Sequence, residues 1–220
     1  MSQQTSSSSE RRSFLTRLNA GAASIAAVAL GGHALAQVKS AAPARWEPAR
    51  HEQDNWMDEL PGKHRLVFDT VSAAGFGEAL LFANNFLAAN RNDYGLQNSD
   101  LAIIIIARHL STALGFNDAM WAKYGTQMAA LSGLATAPKT NPRNAGGISL
   151  DALSKQGVQY AVCAMATRRL AGSIAQAVGG DVDGVNAELI ANLVPNARMV
   201  PAGIVAVNRA QERGYSLVAA

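Results

Sequence analysis

The chain has 220 residues, 49% hydrophobic and 16% charged, which is enough for one moderate globular domain with appendages and excludes a second full domain. With Arg11, Arg12, Arg17 and Glu10 of the first 36 residues set aside, 16 basic and 15 acidic groups remain, so the body lacks the basic stripe that nucleic-acid binding requires. A single cysteine, Cys163, excludes a disulfide within the chain and any thiolate-cluster metal site, and leaves one thiol that is either inert or reactive.

Residues 1–9 are rich in Ser and Gln and lead into Ser9-Glu10-Arg11-Arg12-Ser13-Phe14-Leu15. This segment resembles a twin-arginine (Tat) export signal. The stretch Ala20 to Ala36 is dominated by Ala, Gly and Ser and falls short of the roughly 20 strongly apolar residues a membrane span needs. Ala34-Leu35-Ala36 has the small-x-small pattern that signal peptidase accepts, which predicts a mature start at Gln37, a periplasmic location and no membrane span after signal removal. Residues 37–62 are polar and broken by Pro43, Pro48 and Pro61, with Trp46 and Trp56 among charges. They are expected to form an arm that lies across the protein's own surface or docks on a partner subunit.

From residue 63 the pattern alternates. Leu66 to Thr70 is a short strand, and Gly77 to Asn90 places Leu80, Leu81, Ala83, Phe86 and Leu87 at helical spacing. Leu101 to Ala107 is apolar at every position, as suits a strand covered on both faces. Asn117 caps a helix running to Leu131, and a Gly/Pro/Asn-rich loop from Gly133 to Gly147 is long enough to serve as a lid. Ser149 caps a short helix that stops at Gly157, Val158 to Cys163 is the third strand, and helices follow through Val194. Arg198 to Val200 forms a short strand, Ala202 to Arg213 a helix closed by Gly214, and Tyr215 to Val218 ends the sheet. The expectation is an α/β, flavodoxin-like three-layer sandwich: a mainly parallel five-stranded sheet with helices on both faces.

Three blocks carry a family resemblance: Gly157-Val158-Gln159-Tyr160-Ala161-Val162-Cys163, Val200-Pro201-Ala202-Gly203-Ile204-Val205-Ala206-Val207, and Ala210-Gln211-Glu212-Arg213-Gly214-Tyr215-Ser216. Together with Asn117-Asp118-Ala119-Met120-Trp121-Ala122-Lys123-Tyr124, they resemble the DsrE/DsrF-like family of small sulfur-relay proteins over residues 63–220. The resemblance implies a flavodoxin-like fold, assembly into a homo-oligomer of three or six chains, and a sulfur donor or acceptor protein as partner. It also implies a cysteine that holds sulfur as a persulfide, and Cys163 falls where that cysteine is expected. The chain departs from the family by its export signal, its tryptophan-bearing arm and its long loop before Gly147.

Cys163 closes a strand and precedes a helix, the place where parallel sheets bind ligands. A helix N-terminus with Arg168 and Arg169 nearby would favour its thiolate. The bland reading is a small buried apolar residue beside Val162, Ala164 and Met165. Arg108 and His109 follow the isoleucine run at the same edge, His109 as an acid, a base or a turn cap, with Arg108 and Arg168 shaping the pocket. Asn117, Trp121 and Tyr124 share a helix face that suits a pocket or a subunit contact. No cofactor and no metal site is expected. Gly75-Phe76-Gly77 lacks the third glycine of a dinucleotide loop because position 80 is Leu80, and Asp181-Val182-Asp183-Gly184 lacks the remaining ligands of a calcium loop. Two functions follow: carriage or sensing of sulfane sulfur on Cys163, or a non-enzymatic periplasmic ligand-binding or accessory role with a structural Cys163.

Overall fold

Strand β2, Leu101–Ala107, is buried at every residue, because both faces of the sheet it centres are covered. It pairs in parallel with β1, His64–Thr70, and with β3, Gln159–Cys163. Strand β4, Ala197–Val200, flanks β3, and β5, Ser216–Ala219, flanks β1, so the order is β4-β3-β2-β1-β5 with all five strands parallel. The layering is that of a flavodoxin-like α/β sandwich, with this order in place of the 2-1-3-4-5 of flavodoxin itself. This computed structural model describes residues 46–220. The export-signal reading of residues 1–36 and the start of the arm lie outside the described residues, and among those described no helix is long and apolar enough to cross a membrane.

Parallel neighbours need crossovers, and these are distributed unequally. The long helix α2, Ala73–Tyr94, joins β1 to β2. Helices α3, Asp118–Ser132, and α4, Leu150–Lys155, lie between β2 and β3, and α5, Ala164–Val178, with α6, Val182–Ala191, between β3 and β4. All five contribute to one core with Phe68, Ile103, Ile105, Tyr160 and Val162 from the sheet. The opposite face presents Val67, Ala102, Ile104, Ile106 and Ala161 to α7, Gly203–Gln211, and to a single-turn helix α1, Trp56–Glu59.

Helix α1 belongs to the arm, and the arm lies on the domain's own surface. Residues 47–220 form one compact unit. Trp56 is buried beneath the guanidinium of Arg198, 4.2 Å from its ring centroid, while Tyr215 donates to the Met57 carbonyl at 2.7 Å and Arg213 binds Asp58 at 2.9 Å. Trp46 remains exposed.

The element boundaries explain themselves locally. Helix α2 starts four residues earlier than the apolar spacing indicated, because Ser72 caps it by accepting the Gly75 N–H at 3.0 Å. Gly75 is therefore helical, and its missing side chain has a reason: a Cβ there would stand 2.3 Å from the backbone of Ala220. The helix closes on Gly95 in the left-handed conformation, φ 65°.

Candidate functional site

Helix α5 leaves β3 toward the thick face, the one covered by five helices, and α7 leaves β4 toward the thin face, covered by α7 and α1. Where helices after neighbouring strands diverge, a crevice opens outside the strands' carboxyl ends, the usual ligand position in such sheets. Here it has a volume of 370 Å³. Its walls are Arg108 and His109 after β2, Cys163, Met165, Ala166 and Arg169 at β3 and α5, and Ala202, Gly203 and Ile204 at the start of α7.

Cys163 is both the last residue of β3 and the N-cap of α5, and its side chain caps nothing. Its carbonyl accepts from Thr167 Oγ1 at 2.9 Å, which ties the first helical turn down beneath it. The residue is buried, at 7% exposed, and free, and it lines the crevice. Register places it beside Val200 of β4, so thiol and α7 start lie at one level. Ala202, the N-cap of α7, likewise offers no side-chain cap, so two helix N-termini with their partial positive charge converge there.

Arg108 is held firmly. Its Nε and Nη2 donate to Asp69 Oδ1 and Oδ2 at 2.6 and 2.8 Å, a two-point ion pair reaching from β2 to β1. The hydrogen bond to Asp69 raises the guanidinium's pKa above its ordinary value, with desolvation opposing and Cys163 adding a smaller attraction of the same sign. Its stem lies against Gly203, where a Cβ would meet the Arg108 Cβ at 2.5 Å, so only glycine at the head of α7 admits this side chain.

The turn carrying His109 is fixed from below. Thr70 Oγ1 donates to the Ile106 carbonyl at 2.7 Å and stands 3.0 Å from Ser111 Oγ, which accepts the Arg108 N–H at 2.9 Å. Both hydroxyl residues are fully buried. Beside this knot His109 holds φ 57°, a left-handed value that costs a non-glycine residue of order 1 kcal/mol and is over-represented at functional sites. The imidazole is exposed at the mouth.

Thus Cys163, Arg108 and His109, separated by more than fifty residues, come together, but four expected site residues do not. Arg168 points away and pairs with Asp183, while Arg169, one residue and about 100° further round the helix, faces the crevice instead. Asn117 caps α3, accepting the Met120 N–H at 3.2 Å, and reaches Asn192. Trp121 is 1% exposed in the thick core, its Nε1 donating to Ala113 O at 3.2 Å, and Tyr124 donates to Glu188 Oε2 at 2.6 Å. The face that suited a pocket or subunit contact is thus spent inside the domain, because a 3-10 turn at His109–Gly115 and helix α6 cover it. The loop 133–147 is no lid. Buried Asn141 donates to the carbonyls of Leu114 and Phe116, both at 2.8 Å, and Arg143 to Ala73 O at 2.6 Å, and no loop residue lines the crevice.

Two functional neighbours escaped the sequence reading: Asp69, whose partner is 39 residues away, and Gly203, whose role is to be absent of a side chain. Among the described residues no group of three His, Cys, Asp or Glu side chains is arranged to hold a metal ion.

No protein-family model and no curated protein matches the chain. A solved structure similar to it is the "Protein of Unknown Function MTH1491 from Methanobacterium thermoautotrophicum", at 16% identity over 72% of this chain and all of that one, with a TM-score of 0.38. A likeness of that size carries no functional argument.

Proposed function

We propose that this protein carries sulfane sulfur as a persulfide on Cys163, as an exported, self-associating member of the DsrE/DsrF-like group. The observation that carries the reading is the position of its one thiol. It stands at the wall of the crevice where α5 and α7 diverge, uncapped at a helix N-terminus and flanked by Arg108 and Arg169. Helix N-termini and guanidinium groups are the settings in which cysteines commonly act as nucleophiles.

With an organic persulfide R–S–SH as donor, the Cys163 thiolate attacks the terminal sulfur. The Sγ–S bond forms, the bond between the two donor sulfurs breaks, and its electron pair leaves on R–S⁻. Nothing is oxidised overall, since the sulfane sulfur keeps its state and only its carrier changes. Delivery is the reverse step, with an acceptor thiolate attacking the outer sulfur and Cys163 as leaving group. Arg108 and Arg169 stabilise the anion on either side, and His109 at the mouth supplies or takes the proton of the small thiol.

The test is direct. Incubation with glutathione persulfide, read by intact mass, is expected to add one sulfur atom to the wild-type chain and none to Cys163→Ala. A wild-type protein that never gains sulfur overturns the reading.

One observation favours a second reading. Cys163 is only 7% exposed, as a silent structural cysteine in a ligand-binding or accessory protein would be. That reading expects iodoacetamide to label the thiol only after unfolding, and expects Cys163→Ala to retain whatever ligand or partner the wild type holds.

A further inference from the structure

The ion pair beside the thiol poses a chemical question. A relay cysteine must take sulfur and give it up, and an attacking thiol works best when it titrates near ambient pH, because nucleophilicity falls as the thiolate is stabilised. The charged groups that face Cys163 are few. Arg108 and His109 line the crevice from the end of β2 and Arg169 from α5, and Asp69 of β1 is bound to Arg108. The first turn of α7 brings only Ala202, Gly203 and Ile204, and Arg198 of β4 is stacked on Trp56. Two guanidiniums and two helix N-termini bring positive charge to the crevice that holds the thiol, and charge of that sign stabilises a thiolate at the expense of its nucleophilicity.

Asp69 is the one acidic group in this set. Strand alternation puts its side chain on the α7 face, the face of Val67. It stands two strands from Cys163, roughly 10 Å away by the usual strand spacing, and is bound to Arg108, which lines the same crevice as the thiol. The carboxylate takes Nε and Nη2, and Nη1 makes no hydrogen bond among the described residues. Asp69 therefore does two things at once: it fixes where the guanidinium sits and turns its single charge into a dipole whose field falls off faster.

We propose that Asp69 is a positioning residue that acts through Arg108 to moderate the charge felt by Cys163, keeping the thiol nucleophilic instead of locked as a thiolate. This rests on the reading of Cys163 as a sulfur-carrying nucleophile.

The test is a pH titration of the full chain by ultraviolet thiolate absorbance, with the Cys163→Ala trace subtracted to remove tyrosine ionisation. Asp69→Asn is expected to lower the Cys163 midpoint by about one pH unit, the scale of one removed charge at this separation in a partly shielded site. Arg108→Gln is expected to raise it by a similar amount, and Asp69→Glu, which keeps the charge, to restore the wild-type value. In parallel, the limiting alkylation rate at high pH should fall severalfold in Asp69→Asn, as Brønsted behaviour of thiolates requires.

A midpoint that is unchanged or raised in Asp69→Asn overturns the proposal, since a purely structural ion pair would change the melting temperature and leave the titration alone. Should Asp69→Asn fail to fold, the Arg108→Gln titration decides: an unmoved midpoint overturns the proposal. Failure of the parent reading is seen separately, as absent sulfur gain in the wild-type protein while the variants still move the Cys163 midpoint in the directions given.

Discussion

The two faces of the sheet are built by different means. The thick face holds five helices over a continuous apolar core, with Phe76 and Tyr160 rings stacked 6.3 Å apart and Trp121 of α3 sealed against the 3-10 turn His109–Gly115. The thin face holds α7 and a strip of the arm, and there arginines do much of the fastening. Arg65 donates to the carbonyl of Met57 at 3.0 Å, Arg213, with no exposed side-chain surface, binds Asp58, and Arg198 covers Trp56. Apolar packing is indifferent to pH and tolerant of small shifts, whereas a buried guanidinium is stable only while each partner is in place. The difference teaches that one face supplies the fold's stability and the other its adjustable border, and the crevice with Cys163 opens where the two meet.

The largest expected effect lies on the thick face. Trp121→Ala removes a fully buried indole and leaves the Ala113 carbonyl with the Phe116 N–H alone, and should cost about 3–5 kcal/mol, much of the total for a domain of this size. Urea denaturation measures it. A loss smaller than that of the matching change on the thin face would reverse the comparison.

That matching change is Trp56→Ala. Helix α1 has four residues and cannot persist without its contacts, so the arm is held only by what it packs against. The expected cost is about 2 kcal/mol, less than in the core because the residue sits at the border and Arg198 can turn to solvent. The loss should also be local: trypsin cleavage at Arg50 accelerates while the circular dichroism of the domain is retained. Unchanged cleavage would mean that the bonds of Arg65 and Arg213 alone hold the arm.

This division bears on how much the sequence disclosed. Strand β2 was legible to the residue, because a strand buried on both faces has no polar position to blur its ends. Strand β1 begins two residues before its apolar run, since His64 and Arg65 are polar and Arg65 is recruited by the arm, a contact no local pattern records. Cys163 and the Arg108-His109 pair were found from the rule that parallel sheets bind at their carboxyl edge, which needs only strand ends. Arg168 and Arg169 could not be separated, because a helix phase error of one residue exchanges the crevice for solvent. The spacing of Trp121 and Tyr124 suggests a pocket or subunit contact because no local pattern marks the 3-10 turn that covers the indole. Asp69 was invisible, for its meaning lies in an ion pair between two strands.

The smallest expected effect sharpens the comparison by its pH dependence. Tyr215 donates to Met57 O across the thin face, and Tyr215→Phe leaves that carbonyl short of a partner at a cost of about 1 kcal/mol near neutral pH. Burial, foremost, pushes the Tyr215 phenol up to about 12, with Arg65 and Arg213 pulling it down and Asp58 pushing it up. In the unfolded chain it titrates near 10. A folded-state pKa raised above the unfolded one means the contribution is whole below pH 10 or so and drains away as pH climbs through the folded value, because the unfolded phenol loses its proton first. Denaturant curves at neutral pH and across that alkaline window should therefore show wild type and Tyr215→Phe converging as pH rises. The buried Tyr160 of the thick face also resists ionisation, but it is present in both proteins and cancels in the difference. A gap that stays constant through the window would show that the hydroxyl does not hold the arm, leaving the arginines as the fastening of the thin face.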